Sequence, residues 1–243
     1  MVNDELVALA SAIHSERYAD AQVIFLAGSL VRGQGTSTSD LDLVVVFTRV
    51  DNAYRESFEF RSRLVESFVH DPETLSYFFS RAKQFGVPIL QTMVSEGIEI
   101  PSSSAFSRSL KGLADRLIAE GPTPWSNADI DASRYAITNL IDDLRDPRSR
   151  AEQTATAIAL YTALSTHYLR RRGLWSAKDK AIPRELLRVD SDFAKAFEHA
   201  FEALFREGNS AKVIGLTEEV LAHDGGWLFD GYKLPAPPEW RTP

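Results

Sequence analysis

Two aspartates one residue apart, Asp40 and Asp42, open the apolar run Leu43 to Phe47. In an extended strand alternate side chains share a face, so both carboxylates point one way and Leu41 and Leu43 the other. Their Cα atoms would lie about 6.5–7 Å apart, close enough for the carboxylates to converge on one divalent cation. Aspartate is disfavoured in strands, so a pair on one strand face calls for a reason. Upstream, the apolar strand Val23 to Ala27 ends in Gly28-Ser29, followed by Arg32 and a turn rich in Gly, Thr and Ser. Backbone N–H groups at such a strand end, together with the Ser29 hydroxyl, suit phosphate oxygens, and glycine permits their close approach. Arg32 and Ser39 are further candidate phosphate contacts, while Thr36, Ser37 and Thr38 serve equally well as turn formers. The competing account is a hairpin with a polar tip and two unrelated aspartates at a strand start.

The ordered set Gly28-Ser29, Arg32-Gly33 and Ser39-Asp40-Leu41-Asp42 resembles the signature of the nucleotidyltransferase superfamily, the DNA polymerase β-like fold. The resemblance implies an enzyme in which Asp40 and Asp42 bridge Mg2+ ions, with ATP or another nucleoside triphosphate as co-substrate. Such enzymes carry out an in-line displacement at the α-phosphorus, and pyrophosphate leaves. Two ions about 3.5–4 Å apart can stabilise both the attacking and the leaving oxygen. The superfamily usually adds a third acidic ligand on a neighbouring strand. Glu66, the carboxylate inside the next apolar strand, takes that place. It departs from the commoner aspartate but is similar to the glutamate of kanamycin nucleotidyltransferase-like enzymes. Those enzymes also use a helix carboxylate as general base, which points to Asp142 with Asp143 as its rival. Three aspartates, Asp142, Asp143 and Asp146, sit at a helix end where the macrodipole disfavours them, although Arg145 and Arg148 could simply pair with them. Ser176 to Pro183 resembles the lysine-bearing turn of streptomycin/spectinomycin adenylyltransferase-like proteins. By that resemblance Lys180, ahead of Lys178, faces the triphosphate.

The elements that must position these groups follow from periodicity. Asp4 to Tyr18 predicts an amphipathic helix, with Leu6, Leu9, Ala10 and Ile13 on one face. Asp51 to Ser62 reads as a loop or short helix, and Arg63 to His70 as a third strand in which His70 shares a face with Glu66. Pro72 to Phe85 predicts a helix with proline near its start. Pro88 to Ile100 reads as a short helix and then a strand, and Ala105 to Glu120 as a helix. Gly121-Pro-Thr-Pro-Trp125 breaks the pattern. Beyond it the periodicity is helical: Ala128 to Leu144, Arg150 to Arg172, Ser191 to Glu207 and Ala211 to Ala222, then a proline-rich irregular tail from Lys233. The expected class is α+β, a mixed sheet with flanking helices followed by an all-helical domain. The boundary falls between Pro101 and Trp125 and is drawn at 105/106, giving a catalytic domain 1–105 and a substrate-binding domain 106–243. Trp125, Trp175, Trp227 and Tyr232 are candidates either for stacking on a substrate ring or for the core.

The chain of 243 residues carries a formal net charge of −7 and no cysteine. Disulfides and thiolate metal sites are thereby excluded. No apolar run reaches the roughly 20 residues of a membrane span, and the start Met-Val-Asn-Asp-Glu has no signal-peptide pattern. A cytoplasmic location is the expectation. Binding of long nucleic acids usually needs a basic surface, which the acidic balance argues against; a cationic small acceptor suits it better. The expected function is Mg2+-dependent transfer of AMP from ATP to a hydroxyl of a small molecule such as an aminoglycoside. The alternatives are nucleotidylation of a protein or RNA partner, and a catalytically inactive nucleotide-binding module. Kanamycin nucleotidyltransferase-like enzymes place their active site at a dimer interface, so the resemblance allows a homodimer here.

Overall fold

The computed structural model describes residues 4–36, 38–237 and 240–241, and the chain divides into two compact units, Met1–Pro122 and Thr123–Pro243. Ser37, one of the expected turn formers, lies outside the described residues.

The first unit is built on a five-stranded sheet in the order β3-β4-β2-β1-β5. Its strands are β1 (Val23–Ala27), β2 (Leu41–Val46), β3 (Tyr54–Phe60), β4 (Arg63–His70) and β5 (Ile98–Ile100). β2 pairs antiparallel with β1 and parallel with β4, so the sheet is mixed. Helix α1 (Asp4–Arg17) covers one face, burying Leu6, Ala10 and Ile13 against Leu41, Leu43, Val45, Val65 and Val69. Helices α3 (Pro72–Phe85), α4 (Ile89–Glu96) and α5 (Ala105–Glu120) cover the other, where Leu75, Phe79, Val94, Leu110 and Ala114 pack on Phe25, Val44 and Val46. Each fully buried Leu or Phe there stabilises the unit by about 1.5–3 kcal/mol relative to exposure. The short α2 (Gly28–Val31) leads off β1.

The segment expected to be a loop or short helix, Asp51 to Ser62, instead contains β3. Its alternation is visible in the side chains: Tyr54, Phe58 and Phe60 share one face, Arg55, Ser57 and Glu59 the other. As the last strand of the sheet β3 is half solvated, which explains its polar composition. The reversal into β4 is a two-residue loop, Arg61-Ser62, with φ of 49° and 62°. Two positive φ values are what a tight hairpin of this hand requires, and the usual Asn-Gly is missing.

The domain boundary falls inside the expected interval, Pro101 to Trp125, but late in it. The division falls at Pro122/Thr123 rather than 105/106, because α5 buries Leu110 and Ala114 in the first unit's core. The expected domains 1–105 and 106–243 would have split that core.

The second unit is helical: α6 (Asn127–Arg145), α7 (Arg150–Arg170), α8 (Ile182–Val189), α9 (Ser191–Glu207) and α10 (Ala211–Ala222). One core, with Ile137, Leu160, Leu164, Phe197, Phe201 and Leu204 fully buried, unites them. Helix α8 extends beyond the expected turn at 176–183, and Pro183 lies in its first turn, where a missing N–H costs nothing. Residues 233–237 have no regular element, in line with the expected tail.

Candidate active site

Asp42 enters the sheet opposite Ala27 on β1 and Glu66 on β4. The parallel β2–β4 register puts Asp42 and Glu66 side by side on one face, and Asp40, two residues earlier, joins them. The three carboxylates are half-buried, and each offers an oxygen within 4.8 Å of those of the other two. An all-oxygen, three-carboxylate set is the donor chemistry that Mg2+ or Mn2+ prefers.

Gly28 makes the arrangement fit. Its φ is +83°, and a Cβ built there would lie 1.9 Å from Oδ2 of Asp42. The glycine therefore provides both a left-handed backbone and the space for the carboxylate. Ser29 follows directly, and its hydroxyl donates to Ser39 Oγ at 3.3 Å. Ser39 Oγ also accepts the Thr36 N–H at 2.9 Å, closing the turn that precedes Asp40. The residues expected to hold phosphates and metal are thus tied into one piece: Gly28, Ser29, Ser39, Asp40, Asp42 and Glu66. Arg32 is drawn elsewhere, with its Nη1 3.3 Å from Glu96 Oε2 on α4.

Sequence reasoning missed Arg55. It stands on β3 opposite Phe68, its guanidinium 5.2 Å from the centre of that ring, and it forms an ion pair with Glu66 Oε1. The signal that could have found it is the alternation from Tyr54 to Phe60, obscured by a hairpin turn without glycine. His70 lies on the Glu66 strand face but under α3, edge-on to Phe78 with ring centres 5.2 Å apart. Burial pushes its pKa down to about 4, against an opposing pull from Asp71, so the imidazole is neutral at physiological pH.

Asp142 and Lys180 belong to the second unit. Asp142 is exposed near the end of α6, with Oδ1 2.6 Å from Nη1 of Arg145. Asp142, Asp143, Asp146 and Glu152 border a hollow of about 350 Å³ at the α6–α7 turn, which Arg148 also lines. Lys180 is exposed on a 3-10 turn, Asp179–Ala181, ahead of α8. Of the aromatic candidates, Trp175 is buried, Trp125 packs against His167 and Arg170, Trp227 lies under Arg145, and Tyr232 stacks on Tyr135 at 4.0 Å.

Among the described residues, no helix is long and apolar enough to cross a membrane. Residues 10–87 match the family model of the nucleotidyltransferase domain, a span that holds Gly28, Ser29, Ser39, Asp40, Asp42 and Glu66. A comparison with curated proteins finds no match. A nucleotidyltransferase-like protein from Exiguobacterium sibiricum 255-15 is 15% identical, with a TM-score of 0.47 over 90% of this chain and 75% of that one, a likeness too distant to bear on function. The matched segment and the mixed sheet that carries the acidic triad together support a nucleotidyltransferase fold in the first unit, followed by a helical C-terminal part.

Proposed function

We propose that the chain is a nucleotidyltransferase that uses Mg2+ to move AMP from ATP to a hydroxyl of a small cationic acceptor of the aminoglycoside type, releasing pyrophosphate. The observation that carries this reading is the convergence of Asp40, Asp42 and Glu66 beside the Gly28-Ser29 turn. Mg2+ held there would lower the cost of the charge that develops on the phosphate oxygens and the leaving pyrophosphate.

In this reading Asp40, Asp42 and Glu66 are the metal ligands, and Gly28, Ser29 and Ser39 hold the terminal phosphates. Arg32 would have to leave Glu96 to join them. Asp142 takes the acceptor's proton and Lys180 contributes a point charge to the triphosphate. The net charge of −7 and the acidic rim of Asp142, Asp143, Asp146 and Glu152 favour a cationic acceptor.

The test is a mass-spectrometric screen of candidate acceptors incubated with ATP and Mg2+. The expected result is the mass of one nucleotidyl group added to a hydroxyl-bearing cation, lost in Asp42→Asn. Absence of acceptor-dependent pyrophosphate release across aminoglycosides and lincosamides would overturn the substrate class. Asp142→Asn should lower kcat by about 10²- to 10⁴-fold with ATP binding kept, as removal of a general base does. An equal loss in Asp143→Asn would remove the assignment to Asp142.

A further inference from the structure

The partner of Glu66 bears on how the triad accepts a cation. Three carboxylates with oxygens within 4.8 Å of one another repel, and Glu66 has the Arg55 guanidinium on it. The Arg55 side chain is 61% exposed while that of Glu66 is 17% exposed, so a long, solvated cation reaches inward to a sheltered anion. Exposed ion pairs of this kind are weak and do not hold a side chain against a stronger competitor. A guanidinium has no lone pair to offer a metal, so Arg55 cannot become a ligand. The guanidinium already lies 5.2 Å from the centre of the Phe68 ring, a contact that does not depend on the carboxylate.

We infer that Arg55 is the resident counter-cation of the third carboxylate: it neutralises Glu66 in the metal-free protein and yields the oxygen to a divalent cation. This rests on the reading of the triad as a metal site. The guanidinium and a divalent ion on the same carboxylate repel each other, so Arg55 lowers metal affinity while relieving the crowding of negative charge without metal. A residue that merely held Glu66 in place for the metal would raise affinity instead. The two roles differ in sign.

The experiment measures Mn2+ binding by electron paramagnetic resonance, and melting temperature without divalent ions, in the full chain. Arg55→Gln is expected to tighten Mn2+ binding by about 3- to 10-fold, the size of one unit charge about 6 Å from a divalent ion in water. The metal-free melting temperature should fall, and the tightening should shrink in high salt. Arg55→Lys, which keeps the charge, should stay near wild type. Weaker or unchanged Mn2+ binding in Arg55→Gln overturns the inference. Asp42→Asn separates the two layers of the argument. If the native chain has no Mn2+ binding that Asp42→Asn abolishes, the metal site falls and this role with it. If that binding is present but indifferent to Arg55→Gln, this role falls alone.

Discussion

At the scale of single residues, Gly28 and Asp42 form one unit, because the Cα of the first is packed against the carboxylate of the second. A methyl group at Gly28 would sit 1.9 Å from Asp42 Oδ2 and would meet a φ of +83°. Gly28→Ala is therefore expected to weaken Mn2+ binding by at least about tenfold and to destabilise the chain by about 1–3 kcal/mol. Paramagnetic titration and a denaturant curve read these effects, and an unaltered Mn2+ affinity would contradict the packing. His70 gives a pH dependence. Its imidazole is buried, and Nδ1 is without a hydrogen-bond partner. Its pKa drops from 6.5 to about 4 through burial, so the unfolded chain takes up the proton first. The contribution is intact above pH 6.5 and is lost as pH falls toward about 4, by up to about 3 kcal/mol. His70→Leu should flatten the stability profile across that window, as followed by urea unfolding at a series of pH values. The acidic pair was legible in the sequence because a two-residue spacing has one geometric meaning in a strand. Glu66 was legible because a carboxylate flanked by Val65 and Phe68 has to face something. Arg55 was hidden, since nothing in its own neighbours says which strand it will lie beside.

At the scale of elements, caps and turns set how firmly the site's supports are held. Asp71 closes the N-terminus of α3: Oδ1 accepts the Thr74 N–H at 2.8 Å, and Oδ2 accepts the Val50 N–H at 3.1 Å. The backbone hydrogen bond from Thr74 in particular holds the Asp71 carboxyl below the usual range. Asp71→Ala removes a cap and leaves the Val50 N–H without its acceptor, at a combined cost of about 2–3 kcal/mol. Thr74→Ala, which spares the Val50 contact, should cost less, and chemical denaturation of the pair decides the order. The hairpin at Arg61-Ser62 holds two residues with side chains at positive φ. Replacing them by Asn-Gly should stabilise the chain by about 0.5–1 kcal/mol, seen as a raised unfolding midpoint with an unchanged slope. That turn is also why β3 could not be read from the sequence: the usual Gly punctuation is absent and the strand is polar. Helix α5 was predicted with its bounds, since its apolar stripe repeats at helical spacing. The stripe does not say which core it joins, so within Pro101 to Trp125 the line drawn at 105/106 comes too early. The turn before α8 is visible in the sequence, but α8 itself, with Pro183 in its first turn, has only eight residues in which to show a periodicity.

For the whole molecule, the two units keep separate cores, and all three carboxylates of the triad come from the first. Residues 1–122 expressed alone should fold and keep Asp42-dependent Mn2+ binding, whereas acceptor modification should require the second unit. Circular dichroism and Mn2+ titration of the fragment test the first half, and loss of Mn2+ binding would show that the triad depends on residues beyond Pro122. Conversely Phe201→Ala, in the core of the helical unit, should destabilise that unit by about 3–5 kcal/mol and leave Mn2+ affinity unchanged. The position of β3 has a consequence of a different kind. A sheet's outermost strand is where a second molecule can add its own backbone, and such growth leads to insoluble polymer. β5, at one border, has three residues and gives little to build on, whereas β3 at the other has seven. Arg55, Glu56 and Glu59 stud that longer border with charge of both signs, which makes backbone docking from a copy unfavourable. Solubility and ion handling thus meet on the same strand: a change at Arg55 chosen to alter one will register in the other.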